Sequence, residues 1–469
     1  MRGLFIYGIC LFLLACGGPE AQNDEPTKSD FSEEKKVLEE IYTEALTKGE
    51  AYENLRVLCK EIGHRLSGSE NAEKAVSWAA NTMMNQGLDT VWKQPCKVTH
   101  WERGKKEECI LYSNFEFYKL NVLALGGSIG TGVNGIKAQV VEVKNFEELA
   151  KLGREGIEGK IVFYNRPMNA EELNTFAAYG GCVDQRSSGA AEAAPYGANA
   201  VLVRSMNLRI DKYPHTGVQR YKEGVKKIPA AAISTADAEF LSQKLETDPD
   251  LEIFLKMDCK NFPDAPSHNV VGEIRGSEFP EKIILVGGHL DSWDVGEGAH
   301  DDGAGVVQSM EVLRLFKALN IQPRHTIRVV AYMNEENGAK GAKHYAEIAA
   351  QKGEVHLAAL ESDNGGFTPR GFGIQADSAT VEYFRRYDEL FHPFYIDRID
   401  PGYGGVDISF LKDQGTVLIG YKPDSQRYFI HHHAETDVFE TVDQRELELG
   451  AAAMTSLIYL IDRFGVGEE

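Results

Sequence analysis

From Val270 onward, short apolar runs alternate with amphipathic segments of helical period. The runs are KIILVGG, HTIRVVAYM and HLAALES, and the segment that begins at Gly303 carries apolar residues at Val306, Met310 and Leu313. Strands that alternate with helices form a largely parallel sheet with helices on both faces. The sequence therefore predicts an α/β fold with a mixed, mostly parallel sheet flanked by helices.

The chain has 469 residues, so more than one domain is expected. From Asn121 to Asp264, short segments with the pattern of β-strands are interrupted by Gly and Pro. No cluster of titratable residues of the kind found in catalytic sites occurs there. A stretch of this length is a usual domain size. We therefore predict a β-rich inserted domain at 121–264, which separates two parts of the main domain at 33–120 and 265–469.

The N terminus has the pattern of an export signal. Arg2 precedes the apolar run LFIYGICLFLLA, which is too short to span a bilayer. The run ends in LLACG, which resembles a bacterial lipobox with Cys16 as the lipidated residue. We expect a signal peptide at 1–15, a flexible tether at 16–32, and a lipid anchor that attaches an exported protein to the cell envelope; an ordinary secretory signal is the alternative.

The charge of the chain limits its partners. Its formal net charge is −21, whereas binding to nucleic acid phosphates needs clustered Lys and Arg. Hydrophobic residues make up 43% of the chain, which is a globular composition. We therefore expect a folded protein that does not bind nucleic acid.

Five cysteines lie outside the signal and the lipobox, and they are Cys59, Cys96, Cys109, Cys182 and Cys259. An exported location permits disulfides, and at least one of an odd number of thiols stays free. Cys96 and Cys109 flank a predicted hairpin, so this pair is the first candidate for a disulfide. The remaining connectivity is left open.

Residue types that bind zinc follow the predicted strands of the main domain. They are His289 and Asp291 in GGHLDSWD, Asp301 and Asp302 in HDDGAG, Glu335 and Glu336 in MNEENG, Asp363 in ESDNGG, and His433 in YFIHHHAETD. Side chains at strand ends can converge on the crevice where an open α/β sheet binds its ligands. Two imidazoles, several carboxylates and one spare carboxylate are the groups of a two-metal hydrolase.

Each of these residues also has an ordinary structural role, such as a hydrogen-bonded histidine at a strand end or an aspartate at a helix N-cap. Their joint occurrence, in order after consecutive predicted strands, is what indicates a site. We predict that His289 binds a metal while the Asp291 carboxylate accepts the other ring N–H. We predict that Asp302 caps a helix while Asp301 bridges two metals.

The two adjacent glutamates are predicted to differ in role, with Glu336 as a ligand and Glu335 as the general base. Two Zn²⁺ ions supply four positive charges, and three ligand carboxylates with one bridging hydroxide supply four negative charges, so a buried site is neutral. Zinc lowers the pKa of its bound water to about 7, so a metal-bound hydroxide exists at neutral pH.

The motifs HLDSWDVGEGAHDDGAG, MNEENG, ESDNGG and FIHHHAETD resemble the metal motifs of the M28 zinc peptidases, and the similarity extends over nearly the whole mature chain. The resemblance implies a zinc-exopeptidase fold with an inserted protease-associated domain, a cis peptide between Asp301 and Asp302, and a homodimer. It implies one zinc held by His289, Asp301 and Asp363, a second held by Asp301, Glu336 and His433, and Glu335 as the base.

One position departs from the family pattern. Many M28 enzymes have a tyrosine directly before the last histidine ligand, where it can stabilise the oxyanion, but this chain has His432 there. The oxyanion donor is therefore open.

The resemblance implies a di-zinc exopeptidase that hydrolyses short peptides, particularly dipeptides. The alternatives are an aminopeptidase with the same metals and a non-catalytic receptor of the same fold. Which end group of the substrate is bound does not follow from the residues.

Overall fold

Two eight-stranded sheets form the framework of the protein in a computed structural model that describes residues 31–467. The predicted signal peptide, Cys16 and most of the predicted tether lie outside the described residues. The strands are β1 (Thr90–Glu102), β2 (Glu108–Ser113), β3 (Glu116–Lys119), β4 (Val122–Ala124), β5 (Ile136–Val143), β6 (Ile161–Tyr164), β7 (Ala200–Arg204), β8 (Ala230–Ile233), β9 (Glu252–Lys256), β10 (Lys260–Ile274), β11 (Phe279–His289), β12 (His325–Tyr332), β13 (Val355–Glu361), β14 (Pro369–Gln375), β15 (Arg398–Pro401) and β16 (Val417–Pro423).

Helices lie between the strands in chain order. They are α1 (Ser32–Lys48), α2 (Ala51–Val57), α3 (Glu70–Asn85), α4 (Phe146–Ile157), α5 (Thr175–Gly180), α6 (Asp184–Ala193), α7 (Thr235–Thr247), α8 (Ala304–Ala318), α9 (Lys340–Lys352), α10 (Ser378–Arg385), α11 (Asp388–Phe391), α12 (Tyr428–His431) and α13 (Gln444–Phe464). The start of α3 shows how the sequence directs a helix, because Ser69 Oγ accepts the backbone N–H of Ala72 at 3.1 Å.

The main sheet has the order β1-β10-β12-β11-β13-β16-β14-β15. Strands β12, β11, β13 and β16 are mutually parallel at its centre, and antiparallel pairs flank them. Every residue of β12 is buried, as expected for a strand covered on both faces. The predicted α/β class with a mixed sheet flanked by helices is confirmed.

The second sheet has the order β3-β2-β9-β5-β6-β7-β8-β4 and carries α4 to α7. Its strands extend from Glu108 to Lys256, whereas the sequence placed the insert at 121–264. Strands β2 and β3 therefore pair within the second sheet although the sequence assigned them to the main domain. The limits of the insert and its protease-associated character stay predictions.

The five described cysteines are buried free thiols, so the predicted disulfide between Cys96 and Cys109 is wrong. Cys96 lies on β1, whose partner is β10 of the main sheet, and Cys109 lies on β2 of the second sheet. The two residues do not flank a hairpin because their strands belong to different sheets. Within residues 31–467, no helix has the length and apolar character needed to cross a membrane.

A buried carboxyl group on α13 faces the start of α2. Glu448 is 2% exposed, and its Oε1 accepts the backbone N–H of Tyr52 at 3.0 Å. Burial, with the carboxylate of Glu311 nearby, raises the pKa of Glu448 from 4.5 to about 8. The folded state therefore favours the protonated form of this side chain.

We predict that Glu448→Gln reduces the loss of stability as the pH rises. Because the pKa is raised on folding, the contribution of Glu448 is fully present below pH 4.5 and is lost as the pH rises through about 8. Glutamine keeps an acceptor for the Tyr52 N–H and carries no charge. The free energy of unfolding in urea at pH 5 and pH 8.5 measures the difference, which we expect to be on the order of 1–3 kcal/mol.

The matched control is Glu155→Gln, which removes an exposed carboxylate. A Glu448→Gln protein with the same pH dependence as both the wild type and this control would contradict the prediction.

Candidate metal centre

The structure brings the five predicted ligands into one cluster, in which His289, Asp301 and Glu336 are buried and the other two residues are partly exposed. His289 Nε2 lies 3.2 Å from Asp301 Oδ1 and 3.6 Å from Asp363 Oδ1. His433 Nε2 lies 3.2 Å from Asp301 Oδ2 and 3.2 Å from Glu336 Oε2. The donor atoms of His289, Asp301 and Glu336 all lie within 4.8 Å of one another.

The parallel centre of the main sheet explains this convergence. His289 is the last residue of β11, Glu336 follows β12, and Asp363 follows β13. Because these strands are parallel neighbours, their carboxyl ends meet at one edge of the sheet. His433 comes from the loop after α12, with a φ of 62°.

Asp301 lies between the two histidines, with one carboxylate oxygen toward each ring. The peptide from Asp301 to Asp302 is cis, as the family resemblance implied. Asp302 Oδ1 accepts the N–H of Gly305, and its Oδ2 accepts the N–H of His289, both at 3.0 Å. Asp302 therefore holds the first turn of α8 and the end of β11, although the N-cap residue of α8 is Gly303.

The ring orientation of His289 is set by a backbone group rather than by the carboxylate that the sequence predicted. His289 Nδ1 lies 2.9 Å from the carbonyl oxygen of Asp291, whereas the Asp291 carboxylate is 3.9 Å away. A carbonyl oxygen only accepts hydrogen bonds, so Nδ1 of the His289 ring carries the hydrogen. In the neutral ring the lone pair is therefore on Nε2, which faces the carboxylates of Asp301 and Asp363. Asp291 Oδ1 instead accepts the backbone N–H groups of Asn334 at 2.6 Å and Glu335 at 3.1 Å.

Three side-chain nitrogen or oxygen atoms of the cluster have no hydrogen-bond partner among the described residues. These atoms are His289 Nε2, Asp301 Oδ2 and Asp363 Oδ1, and all three are buried. Buried polar atoms without a partner are costly, and a cation between them removes that cost. Imidazole nitrogens and carboxylate oxygens are the ligands that zinc binds in proteins, so the residues present fit zinc.

The carboxyl groups of the cluster interact strongly. Burial and the neighbouring Asp301 raise the pKa of Glu336 to about 7. Burial also raises the pKa of Glu335 well above its usual range, and Asp363 and Glu336 add to the effect. Against the effect of burial, His289 and His433 hold the pKa of Asp301 well below its usual range. Bound cations would relieve the repulsion among these acids.

Residues of the insert hold the loop that carries His433, and the sequence analysis missed them. The His215 ring is hydrogen-bonded through Nδ1 to the carbonyl of His432 at 2.7 Å. The N–H of Thr216 donates to the carbonyl of His433 at 2.9 Å, and the Thr216 carbonyl lies 3.3 Å from His433 Nδ1. These contacts join positions 217 residues apart, and no local pattern in the sequence indicates them.

Asp437 is a second residue whose role the sequence analysis did not identify. Its carboxylate accepts the backbone N–H of His300 at 2.7 Å and that of Asp301 at 3.1 Å. Asp437 therefore holds the backbone of His300 and Asp301. Asp437 lies four residues after His433 in the motif YFIHHHAETD, and this proximity is the sequence signal that could have identified it.

A cleft of about 1400 Å³ opens beside the cluster. The main domain contributes Glu335, Asp363 and Lys422 to its lining, and the insert contributes Tyr179 and Arg186. The cleft therefore lies between the two sheets, with the acid cluster on one side.

Comparisons with known proteins agree with this arrangement. Residues 269–458 match the sequence profile described as Peptidase family M28. Carboxypeptidase Q of Bos taurus is 35% identical over 98% of this chain and 97% of its own length. The chain belongs to peptidase family M28.

Solved structures of peptidases share the fold. The crystal structure of a peptidase M28 precursor from Shewanella amazonensis has a TM-score of 0.88 at 32% identity, and covers 93% of this chain and 98% of that one. The structure of a zinc aminopeptidase from Bacillus subtilis has a TM-score of 0.64 at 21% identity, with 89% of this chain and 97% of that one covered. At that identity the second comparison shows similarity of fold alone.

We predict that Asp291→Ala destabilises this M28 peptidase much more than Asp291→Asn. Alanine leaves the buried N–H groups of Asn334 and Glu335 without their acceptor, which costs about 1–3 kcal/mol. Asparagine keeps an acceptor oxygen of the same geometry. Urea unfolding of the three metal-free proteins measures the difference, and equal destabilisation by both substitutions would contradict this role.

Proposed function

We propose that this M28 peptidase is a di-zinc exopeptidase that hydrolyses short peptides, with dipeptides among its substrates. The bridging position of Asp301 between His289 and His433 carries the proposal, because one carboxylate with an imidazole on each side is suited to a pair of metal ions. The similarity to carboxypeptidase Q supports an exopeptidase.

His289, Asp301 and Asp363 would hold one zinc, and Asp301, Glu336 and His433 would hold the other. The zinc aminopeptidase of Bacillus subtilis, which shares the fold, supports this choice of metal. When bound, the ions would make water more acidic and polarise the amide carbonyl of the substrate.

Glu335 is positioned to act as the general base. Its backbone N–H donates to Asp291, and its side chain borders the cleft next to the ligands. The Glu335 carboxylate would accept a proton from the attacking water and deliver it to the leaving amine. The amide C–N bond breaks in the course of these proton transfers, and the products are a carboxylic acid and an amine.

The oxyanion donor has two candidates near His433. His432 stacks on the His433 ring with centroids 3.6 Å apart, and burial lowers its pKa well below the usual range. The His432 ring is therefore neutral and can donate one N–H. Tyr179 of the insert packs edge-on against His432 and also lines the cleft. Either group can take the place of the tyrosine that many family members have before the last ligand.

Two other functions suit the same fold. An aminopeptidase would use the same ligands and bind the free amine of its substrate, and the fold similarity to the Bacillus subtilis enzyme is compatible with this alternative. A non-catalytic receptor would need neither the ligands nor a base. The presence of all five proposed zinc-binding side chains and of Glu335 favours a hydrolase.

We predict that the adjacent glutamates fail in different ways when each is changed to glutamine. Glu335→Gln keeps size and packing but removes the proton acceptor, so zinc stays bound while single-turnover rates on a dipeptide fall about 10²–10⁴-fold. Glu336→Gln removes a ligand charge, so both zinc content and rate fall. Metal analysis by mass spectrometry beside single-turnover rates separates the two effects.

Two zinc ions per wild-type chain are the reference value for this experiment. A Glu335→Gln protein without zinc, together with a fully loaded Glu336→Gln protein, would reverse the assigned roles. A wild-type protein that binds zinc and hydrolyses no free or blocked dipeptide would refute the proposed function.

We also propose that the protein is exported, anchored to the cell envelope through a lipid on Cys16, and homodimeric. The support is the LLACG pattern and the family resemblance. Labelled fatty acid should be incorporated into the wild type and not into Cys16→Ala, which should leave the membrane fraction. Light scattering of the purified protein measures the assembly state, and a monomeric mass at micromolar concentration would contradict the dimer.

A further inference from the structure

A half-buried lysine at the end of β16 lies in the cleft without an anionic partner. Lys422 is the penultimate residue of β16, and its side chain lines the cleft together with Glu335 and Asp363. Among residues 31–467, its ammonium group has no ion pair and no hydrogen bond. Lysine is positively charged at neutral pH, and the loss of part of its hydration is unfavourable unless an anion replaces the water. The ammonium group is therefore free to bind an anion that enters the cleft.

Glycines surround this lysine at positions where other residues would offer side chains. In the register of β14 and β16, Gly371 is paired with Lys422, and Gly373 is paired with Gly420. A Cβ on Gly373 would lie 2.9 Å from Lys422 Cε, and a Cβ on Gly420 would lie 3.1 Å from its Nζ. The two glycines leave room for the lysine side chain and provide no acidic group that could neutralise it.

The nearest carboxylates are already engaged by other groups. Burial lowers the pKa of Lys422, and the carboxylates of Glu361 and Asp363 act in the opposite direction. Both oxygens of Glu361 accept backbone N–H groups, from Val406 at 2.8 Å and from Ile408 at 2.9 Å. Asp363 is one of the proposed zinc ligands. Neither carboxylate is therefore available to form an ion pair with the lysine.

An anchored loop at 402–406 forms the rim of the pocket around the ammonium group. The N–H of Gly404 donates to Gln375 Oε1 at 3.0 Å, and the Tyr403 carbonyl would lie 2.4 Å from a Cβ on Gly420. Tyr403 is 54% exposed and lines the same cleft. Burial raises the pKa of Tyr403 to about 12, so its hydroxyl stays protonated and can donate to an anion. This wall of the cleft therefore carries a cation and a hydroxyl donor on a fixed backbone.

The charges on the two sides of the cleft orient a dipeptide. The insert contributes two exposed cations to the lining, Arg220 and Lys227. The main domain contributes Glu335 and Glu361, neither of which is a proposed zinc ligand. A dipeptide is therefore expected to lie with its carboxylate toward the insert and its amine toward the main domain. Its first residue then lies on the side of β16.

We propose that Lys422 binds the side-chain carboxylate of an acidic residue on the N-terminal side of the scissile bond, so that the enzyme prefers peptides that begin with Asp or Glu. The inference rests on the proposed hydrolase function. In such a peptide the side-chain carboxylate offsets the charge of the lysine, whereas a neutral side chain leaves the substrate amine facing the ammonium group. The substrate class is therefore dipeptides with an acidic first residue.

The test compares Glu-Ala with its neutral analogue Gln-Ala, using zinc-loaded protein. We expect the wild type to prefer Glu-Ala by about 10- to 100-fold in kcat/KM, which is the range for hydrogen bonds to charged groups. Lys422→Met should remove the preference, chiefly through KM, and Lys422→Arg should keep it. Lys422→Glu should reverse it, so that Lys-Ala is hydrolysed faster than Glu-Ala.

Two controls restrict the effect to this position. Lys412→Met changes an exposed lysine that does not line the cleft, and it should keep the preference for Glu-Ala. Ala-Glu and Ala-Gln carry the acidic or neutral side chain on the other side of the bond. Their ratio of kcat/KM should be the same in the wild type and in Lys422→Met.

A binding measurement separates recognition from turnover. In the Glu335→Gln background, calorimetry should show tighter binding of Glu-Ala than of Gln-Ala, and adding Lys422→Met should equalise the two dissociation constants. Circular dichroism and zinc content verify that each variant is folded and loaded. If Lys422→Met does not fold, the wild-type ratio and the reversal in Lys422→Glu decide the test.

Four results would overturn the inference. Equal kcat/KM of the wild type on Glu-Ala and Gln-Ala would do so, while the proposed hydrolase function would stand. An equal loss on both substrates in Lys422→Met, or a loss of zinc, would give the lysine a structural role instead. A lysine-dependent preference for Ala-Glu over Ala-Gln would place the acid on the other side of the bond. A zinc-loaded wild type that hydrolyses none of these dipeptides would refute the proposed function and this inference together.

Discussion

The concentration of negative charge around Asp301 is the constraint on which the rest of the structure depends. Four carboxyl groups lie together beside two imidazoles, and they belong to Asp301, Glu335, Glu336 and Asp363. Burial raises the pKa of the last three. Such a cluster is unfavourable without cations, since like charges repel and each carboxylate loses its hydration. The surrounding framework therefore has to hold these side chains in place, and backbone hydrogen bonds to Asp437 and Asp302 do so.

The framework is assembled from two kinds of support. The parallel strands bring His289, Glu336 and Asp363 to one edge, which is a property of the main sheet alone. Arg65, which is fully buried, donates to the carbonyls of Leu290, Glu297 and Gly298 and so holds the loop between β11 and α8. The loop that carries His433 is instead held by His215 and Thr216, which lie between β7 and β8 of the second sheet.

Residues that belong to the part of the chain with the second sheet contact the cluster around Asp301. His215 and Thr216 hold the backbone of the loop that carries His433, and Arg186 brings a buried positive charge to the cleft. A movement of the second sheet against the first would therefore alter both the position of His433 and the shape of the cleft.

The sequence by itself determined the α/β class and the identity of the clustered residues, because strand periodicity and the polar residues after each strand are local patterns. Only the tertiary structure decided which groups meet across long separations. It placed Cys96 and Cys109 in different sheets, gave the His289 ring a carbonyl instead of the Asp291 carboxylate, and brought Arg186 next to His433. Such contacts depend on how the two sheets pack against each other. Contacts between residues hundreds of positions apart produce no periodic pattern in a single sequence.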